Sequence, residues 1–275
     1  QVTQTTARPQ TQPAESDLTS GGGGLAADRL FRGICVAAGV LVLAILGLIL
    51  LSTTNEAWPA LRESGLGFIT SKRWAPNDPD GTPQFGTLAL IYGTALVSLI
   101  ALVVAVPVSV GIALFLTEVA PRRVRGPVVT VIDLLAAVPS VVFGLWGIIV
   151  VGPAIIDVYS WLHGTLGDIP VLGRLFGQPV STGRGFLTAG LIVAIMILPI
   201  ITSITREVFN TVPDSEKHAA LALGATRWEM IKAAVFPHSF GGMVGAVMLG
   251  LGRAMGETIA IALVIGGVAV YAILR

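Results

Sequence analysis

Charge is the scarcest commodity in this chain. Only 12% of its 275 residues are Asp, Glu, Lys or Arg, against roughly 25% in a soluble domain. The 17 basic and 16 acidic side chains nearly cancel to +1, and no basic run marks a nucleic-acid partner. A single cysteine, Cys35, excludes a disulfide framework and is expected to pack as a small hydrophobe in an apolar run. His163, His218 and His238 form no cluster with cysteine or carboxylates, so no metal site is expected. There is no G-x-x-x-x-G-K-[ST], so no nucleotide site is expected on this chain. Neither G-x-S-x-G nor H-E-x-x-H occurs, and Ser140 and His163 fall on different segments, which argues against an intramembrane hydrolase. No internal repeat suggests the inverted halves of many ion-driven transporters.

What is abundant is apolar sequence. At 53% hydrophobic, the chain reads as an all-α integral membrane protein. Residues 1–28 are rich in Thr, Gln, Pro and Gly and are expected to form a disordered tail rather than a signal peptide. The first apolar run, 33–51, is long enough at about 1.5 Å per residue to cross a roughly 30 Å hydrocarbon layer. Residues 29–85 thus hold a first span and an outer loop, whose Trp58, Phe68, Trp74 and Phe85 suit the membrane–water interface. Four more blocks follow at 87–116, 128–151, 186–204 and 241–265. Pro107 and Pro139 should kink the second and third, the latter freeing the Leu135 carbonyl. Five spans leave the C-terminus outside.

Between the last two blocks lies a polar island, residues 206–240, too long for a simple reversal. Pro213 marks a helix start that Asp214 and Ser215 can cap. A short helix is predicted over 216–223, ended by Gly224. Thr226 and Glu229 have the spacing of a capping box for a second helix, with Trp228, Ile231, Val235 and Phe236 on roughly one face. Pro237 ends that helix or kinks it into the membrane. Placing the N-terminus, the 119–127 link and this loop on one side collects Arg29, Arg32, Arg122, Arg123, Arg125, Arg206, Lys217, Arg227 and Lys232 there. The positive-inside rule makes that side cytoplasmic.

Ala219-Ala220, Gly224 and Pro237 resemble the cytoplasmic coupling loop of ABC-importer permeases, whose pattern is Glu-Ala-Ala, three residues, Gly, nine residues, an aliphatic, one residue, Leu-Pro. His218 stands at the Glu position, Ala234 at the aliphatic and Phe236 at the Leu. With His218 supplying less charge, Glu216 is a candidate for the docking carboxylate. Residues 134–147, LLAAVPSVVFGLWG, and 250–258, GLGRAMGET, together with Phe85-Gly86, Tyr92-Gly93-Thr94 and Ala105-Val106-Pro107, narrow the resemblance to the C-type transmembrane subunits of bacterial high-affinity phosphate (Pst) importers. The resemblance implies a type I permease bundle with its core over 86–275. It also implies a sixth helix beyond this sequence, with a genuine five-span core as the alternative. The chain itself would be a transport subunit without enzymatic activity or bound cofactor, in the bacterial plasma membrane. Its implied partners are a second homologous permease, an ATPase dimer carrying ATP-Mg, and an extracytoplasmic phosphate-binding protein. The rivals are an ABC permease for another oxyanion or polar solute and an ion-driven carrier.

Arg253 and Glu257 are four apart and should share a helix face. Each unpaired charge at the bilayer centre costs at least about 2.5 kcal/mol. Two readings stand. In one, the Arg253 guanidinium attracts phosphate, Glu257 holds it and keeps the empty site neutral, and Thr258 and Ser140 add hydroxyls along the path. In the other, Arg253 and Glu257 form a structural ion pair. Asp133, one turn past the basic link, is expected at the interface beside Arg122, Arg123 or Arg125.

Overall fold

The computed structural model describes residues 22–75, 84–166, 183 and 185–265. It falls into two units, Gln1–Gly65 and Leu66–Arg275. The described part of the first unit holds one helix, α1 (Gly22–Ser64), of 43 residues. It overruns the expected 33–51 at both ends and begins inside the stretch expected to lack order; residues 1–21 of that stretch lie outside the described residues. At about 1.5 Å per residue it is about 65 Å long, twice the hydrocarbon thickness. Its polar end, which includes Pro59 and Arg62, therefore extends beyond the lipid core.

The second unit opens with α2 (Gly67–Thr70) and a minimal antiparallel pair, β1 (Trp74–Ala75) and β2 (Gln84–Phe85). Trp74 meets Phe85 edge to face at 5.6 Å. Then come α3 (Leu88–Leu114) with a π-helical turn, Phe115–Val119; α4 (Arg122–Ala136); and α5 (Ser140–Trp146), a second π turn, Gly147–Val151, and α6 (Gly152–Leu166). After α7 (Phe186–Asn210), the loop forms α8 (Asp214–Ala222) and α9 (Arg227–Met230). A third π turn, Ile231–Val235, carries α9 into α10 (Phe236–Gly256), and α11 (Ile259–Ile265) follows. Among the described residues, five helices are long and apolar enough to cross a membrane.

Two of the expected spans are interrupted: the third, where Pro139 is expected to give a kink, and the fifth, expected to be continuous. The third block breaks completely: α4 stops at Ala136, and Pro139 is extended (φ −60°, ψ 140°) before α5 starts. The Leu135 carbonyl is not free, because the Val138 amide donates to it at 3.3 Å. The fifth block breaks after Gly256, where Glu257 turns to extended backbone (φ −78°, ψ 115°). Asp133 is exposed on α4 and forms no ion pair with the neighbouring arginines. Arg125 instead donates from Nη2 to the Thr117 carbonyl at 2.7 Å.

The core of the second unit forms around α7. Its Ile192, Val193, Ile197 and Ile201 are buried against Val97, Ala101 and Ala105 of α3 and Ala246 and Ala254 of α10. Burial in lipid releases little water, so such contacts depend on close van der Waals packing, which small residues permit. A second cluster caps the end of the bundle next to the 206–240 loop: Phe209 and Val212, Ala113 of α3, and Met230, Ile231 and Val235. Phe209 is fully enclosed and meets Phe236 edge to face at 6.2 Å. Phe209→Ala should lower the unfolding free energy by about 3–5 kcal/mol, measured by reversible denaturation in bicelles.

Candidate functional site

The 206–240 loop is built much as its sequence dictates, with specific differences. Helix α8 spans Asp214–Ala222 and its N-cap is Pro213, which offers no side-chain cap. Asp214 and Ser215 therefore do not cap the turn as expected; Asp214 and Glu216 instead place negative charge in the first turn, where it complements the helix dipole. Gly224 has φ +89°, a left-handed conformation that most side chains resist. The capping box is complete: the Glu229 amide donates to Thr226 Oγ1 at 3.3 Å, and the Thr226 amide donates to Glu229 Oε2 at 2.8 Å. Beyond it the chain stays helical through Pro237. The π turn absorbs one extra residue here, so α9 and α10 form one continuous rod. Ile231 and Val235 face inward, while Trp228 edges Phe236 at 6.5 Å and remains 53% exposed.

The coupling candidates separate in space. His218 and Ala219 are exposed, and Ala220 is half-buried against the inner cluster. Glu216 faces back into the chain, with Oε2 3.5 Å from His238 Nδ1. Lys217, which sequence reasoning passed over, pairs with Glu118 at 2.6 Å in a shielded position. Leu221, Leu223 and Trp228 leave an apolar surface around Gly224.

The second constellation lies halfway along α7. Gly147 abuts Ile192 and Val264, and Gly250 abuts Ile201, so both broken blocks can be placed against the same helix. The break at 257–258 falls between those two marks. The break at 137–139 lies eight to ten residues before Gly147, about 12–15 Å back along the helix, at the same level. Pro199 is on α7 here, and Ser109 of α3, two residues past Pro107, donates to the Leu198 carbonyl at 3.1 Å. Leu198 is the midpoint of Phe186–Asn210. Gly144 abuts Ala260, which sets α5 and α11 in parallel register with Ser140 and Glu257 at the same end.

Arg253 and Glu257 do not share a helix face, contrary to expectation. Helix α10 ends between them, and Glu257 Oε1 accepts the Ala260 amide at 3.2 Å, capping α11. No ion pair joins them, and Arg253 has no carboxylate partner among the described residues. It is exposed at the flank of α10, one turn past Gly250. Ser140 and Glu257 are half-buried and Thr258 is exposed. His163 has no described side chain. Among the described residues no His, Cys, Asp and Glu group has the arrangement of a metal site.

A multi-pass helical bundle with interrupted spans at one depth and a rigid, capped loop at one face defines a membrane-embedded permease. Residues 105–274 match the family model for the binding-protein-dependent transport system inner membrane component. The chain is 45% identical over 244 residues to the phosphate transport system permease protein PstC of Mesorhizobium japonicum, covering 87% of this chain and 72% of that protein. It is 45% identical over 241 residues to the protein of that name from Xylella fastidiosa strain 9a5c, covering 87% and 73%. The corresponding protein of Haemophilus influenzae is 42% identical over 240 residues, covering 87% and 75%. The chain belongs to the family of binding-protein-dependent transport inner membrane components, which are type I ABC permeases, and is a multi-pass membrane protein.

The cap predicts a local effect. Thr226→Ala should cost about 1 kcal/mol of helix stability, read as faster amide hydrogen exchange over 227–231 with the spans unchanged.

Proposed function

We propose that this chain is a permease subunit of an ATP-driven importer that moves inorganic phosphate across the bacterial plasma membrane by alternating access. Its similarity to proteins named as phosphate transport permeases supports the solute. The observation that carries the path is Arg253: a guanidinium at mid-depth with no carboxylate partner among the described residues, beside two helix interruptions. Such a charge in a span needs a neighbouring subunit or a wet path. A fork of N–H donors suits a tetrahedral oxyanion. Thr258 and Ser140 add hydroxyls at the same level. Glu257 has one carboxylate oxygen committed to α11 and the other available to set the charge of the path.

The loop supplies the other half of the mechanism. The N-terminus and the 206–240 loop lie in the cytoplasm, and the surface around Gly224 docks on one subunit of an ATPase dimer that binds ATP-Mg. A second, homologous permease completes the path, and an extracytoplasmic binding protein delivers phosphate. ATP closes the dimer and draws the loops together; hydrolysis resets them. The chain's part is mechanical and electrostatic, and no chemistry occurs on it. Deleting 214–237 should abolish co-purification of the ATPase. Gly224→Val, which forces a β-branched residue into a left-handed conformation, should uncouple ATP hydrolysis from uptake.

The path is tested by two variants at normal expression. Arg253→Lys keeps the charge but loses the fork, and should lower phosphate uptake about tenfold, the size of one charge-assisted hydrogen bond. Glu257→Gln retains an acceptor for Ala260, so stability should hold while uptake falls. Wild-type uptake in both removes these residues from the path. Competition by sulfate or molybdate as strong as by unlabelled phosphate would point to a different oxyanion.

A further inference from the structure

Helix α8 is attached to the rest of the protein in an unusual way. None of its nine residues is buried. Its apolar contribution to the inner cluster is one half-buried side chain, Ala220. Its chain neighbours hold it at its ends, through buried Val212 before Pro213 and the Ala225 amide, which donates to the Ala220 carbonyl at 3.2 Å. The polar contacts that remain are the longer Glu216–His238 pair, at 3.5 Å, and Lys217–Glu118. The second is of a different quality. Lys217 Nζ and Glu118 Oε1 are 2.6 Å apart, with side chains only 16% and 11% exposed. A pair so shielded is screened little by salt and is costly to break one-sidedly.

Glu118 is also not on a neighbouring stretch of the loop. It belongs to the π turn Phe115–Val119 that ends α3, 99 residues away in sequence. That turn is pinned from two sides. The Ala120 amide closes it on the Phe115 carbonyl at 2.7 Å, and Arg125 Nη2 donates to the Thr117 carbonyl at 2.7 Å. From there α3 runs unbroken to Ser109, whose hydroxyl holds the Leu198 carbonyl at mid-depth.

We infer that the Lys217–Glu118 pair is a strut that makes the second span move with the coupling helix. The inference rests on the coupling role proposed above for the loop. Motion of the loop then has two routes inward. One is covalent, along α9 and α10 to Arg253. The other crosses the ion pair to the π turn and passes along α3 to the Ser109–Leu198 bond. The two routes end against α7 at the same level, so an intact strut keeps them in step. Lys217 and Glu118 are positioning residues: neither meets the solute or the nucleotide.

The test uses the complete transporter with its ATPase, reconstituted in liposomes, in four forms: wild type, Glu118→Gln, Lys217→Met, and the exchanged pair Glu118→Lys with Lys217→Glu. Each single variant should still hydrolyse ATP, while phosphate moved per ATP falls about tenfold, the scale of a typical coupling energy. The exchanged pair should recover most of that loss, as a true pairwise interaction must. Single variants at the wild-type ratio, or an exchanged pair as poor as the singles, would overturn the strut. Amide hydrogen exchange over 214–222 in the same samples gives an arm that does not depend on the solute. It should speed up in the singles and return in the exchanged pair, and exchange unchanged in the singles also overturns the inference. If the wild type hydrolyses ATP but imports no phosphate, the solute assignment fails, and the exchange arm still decides the strut.

Discussion

A backbone amide or carbonyl left unmet in hydrocarbon costs several kcal/mol, and this fold places two helix interruptions about halfway along α7. Several contacts at that depth lower this cost. Val138 donates to Leu135 across the first break, Glu257 accepts from Ala260 across the second, and Ser109 donates to the Leu198 carbonyl. Both breaks lean on α7, the one span whose window is 61% buried within the chain. Irregular backbone is tolerated at such depth where protein or a wet cavity surrounds it. In the function proposed above, the interruptions mark the level of the path.

The same constraint governs the charges. A buried carboxylate is expected to neutralise a nearby guanidinium, and the four-residue spacing of Arg253 and Glu257 invites that pairing. The chain spends Glu257 differently, as the cap of α11. Arg253 is then left outside the packed core, on the flank of α10. In the assembled importer proposed here, its complement comes from the neighbouring subunit or from the transported anion. The inner face shows the opposite solution, where Glu118 and Lys217 satisfy each other within one chain.

The legible parts of this protein are those set by local chemistry. The Thr226–Glu229 box, the left-handed Gly224 and the helix beginning at Pro213 follow from side-chain and backbone preferences that act over four residues. The existence of five apolar spans follows from length and composition. What sequence could not show depends on contacts between distant segments. Pro139 signals a disturbance but not whether the helix bends or stops; packing of Leu135 and Val138 on the core decides that. The break at Glu257 had a local hint, Gly256 followed by a residue able to cap the next turn, and the helical spacing to Arg253 masked it. Lys217 and Glu118 are 99 residues apart, and nothing in either neighbourhood marks them as partners. Nor do the three π turns have a compositional signature, although two of them sit where spans meet the inner face.

The break after Gly256 also divides the last block mechanically. From Arg227 to Gly256 the chain is one 30-residue rod, closed at its inner end by a full capping box and wedged at Gly250 against Ile201. In the mechanism proposed above, a displacement at the loop is carried to the Arg253 level along this continuous helix. Beyond Gly256 the helix does not continue, and α11 is packed on α5 through Gly144 and Ala260. Its loyalty is to the third span, not to the loop. Residues 257 and 258 thus lie at a boundary between a part that follows the loop and a part that stays with the bundle. In the alternating-access mechanism proposed above, a solute held there sits where the two parts change their separation.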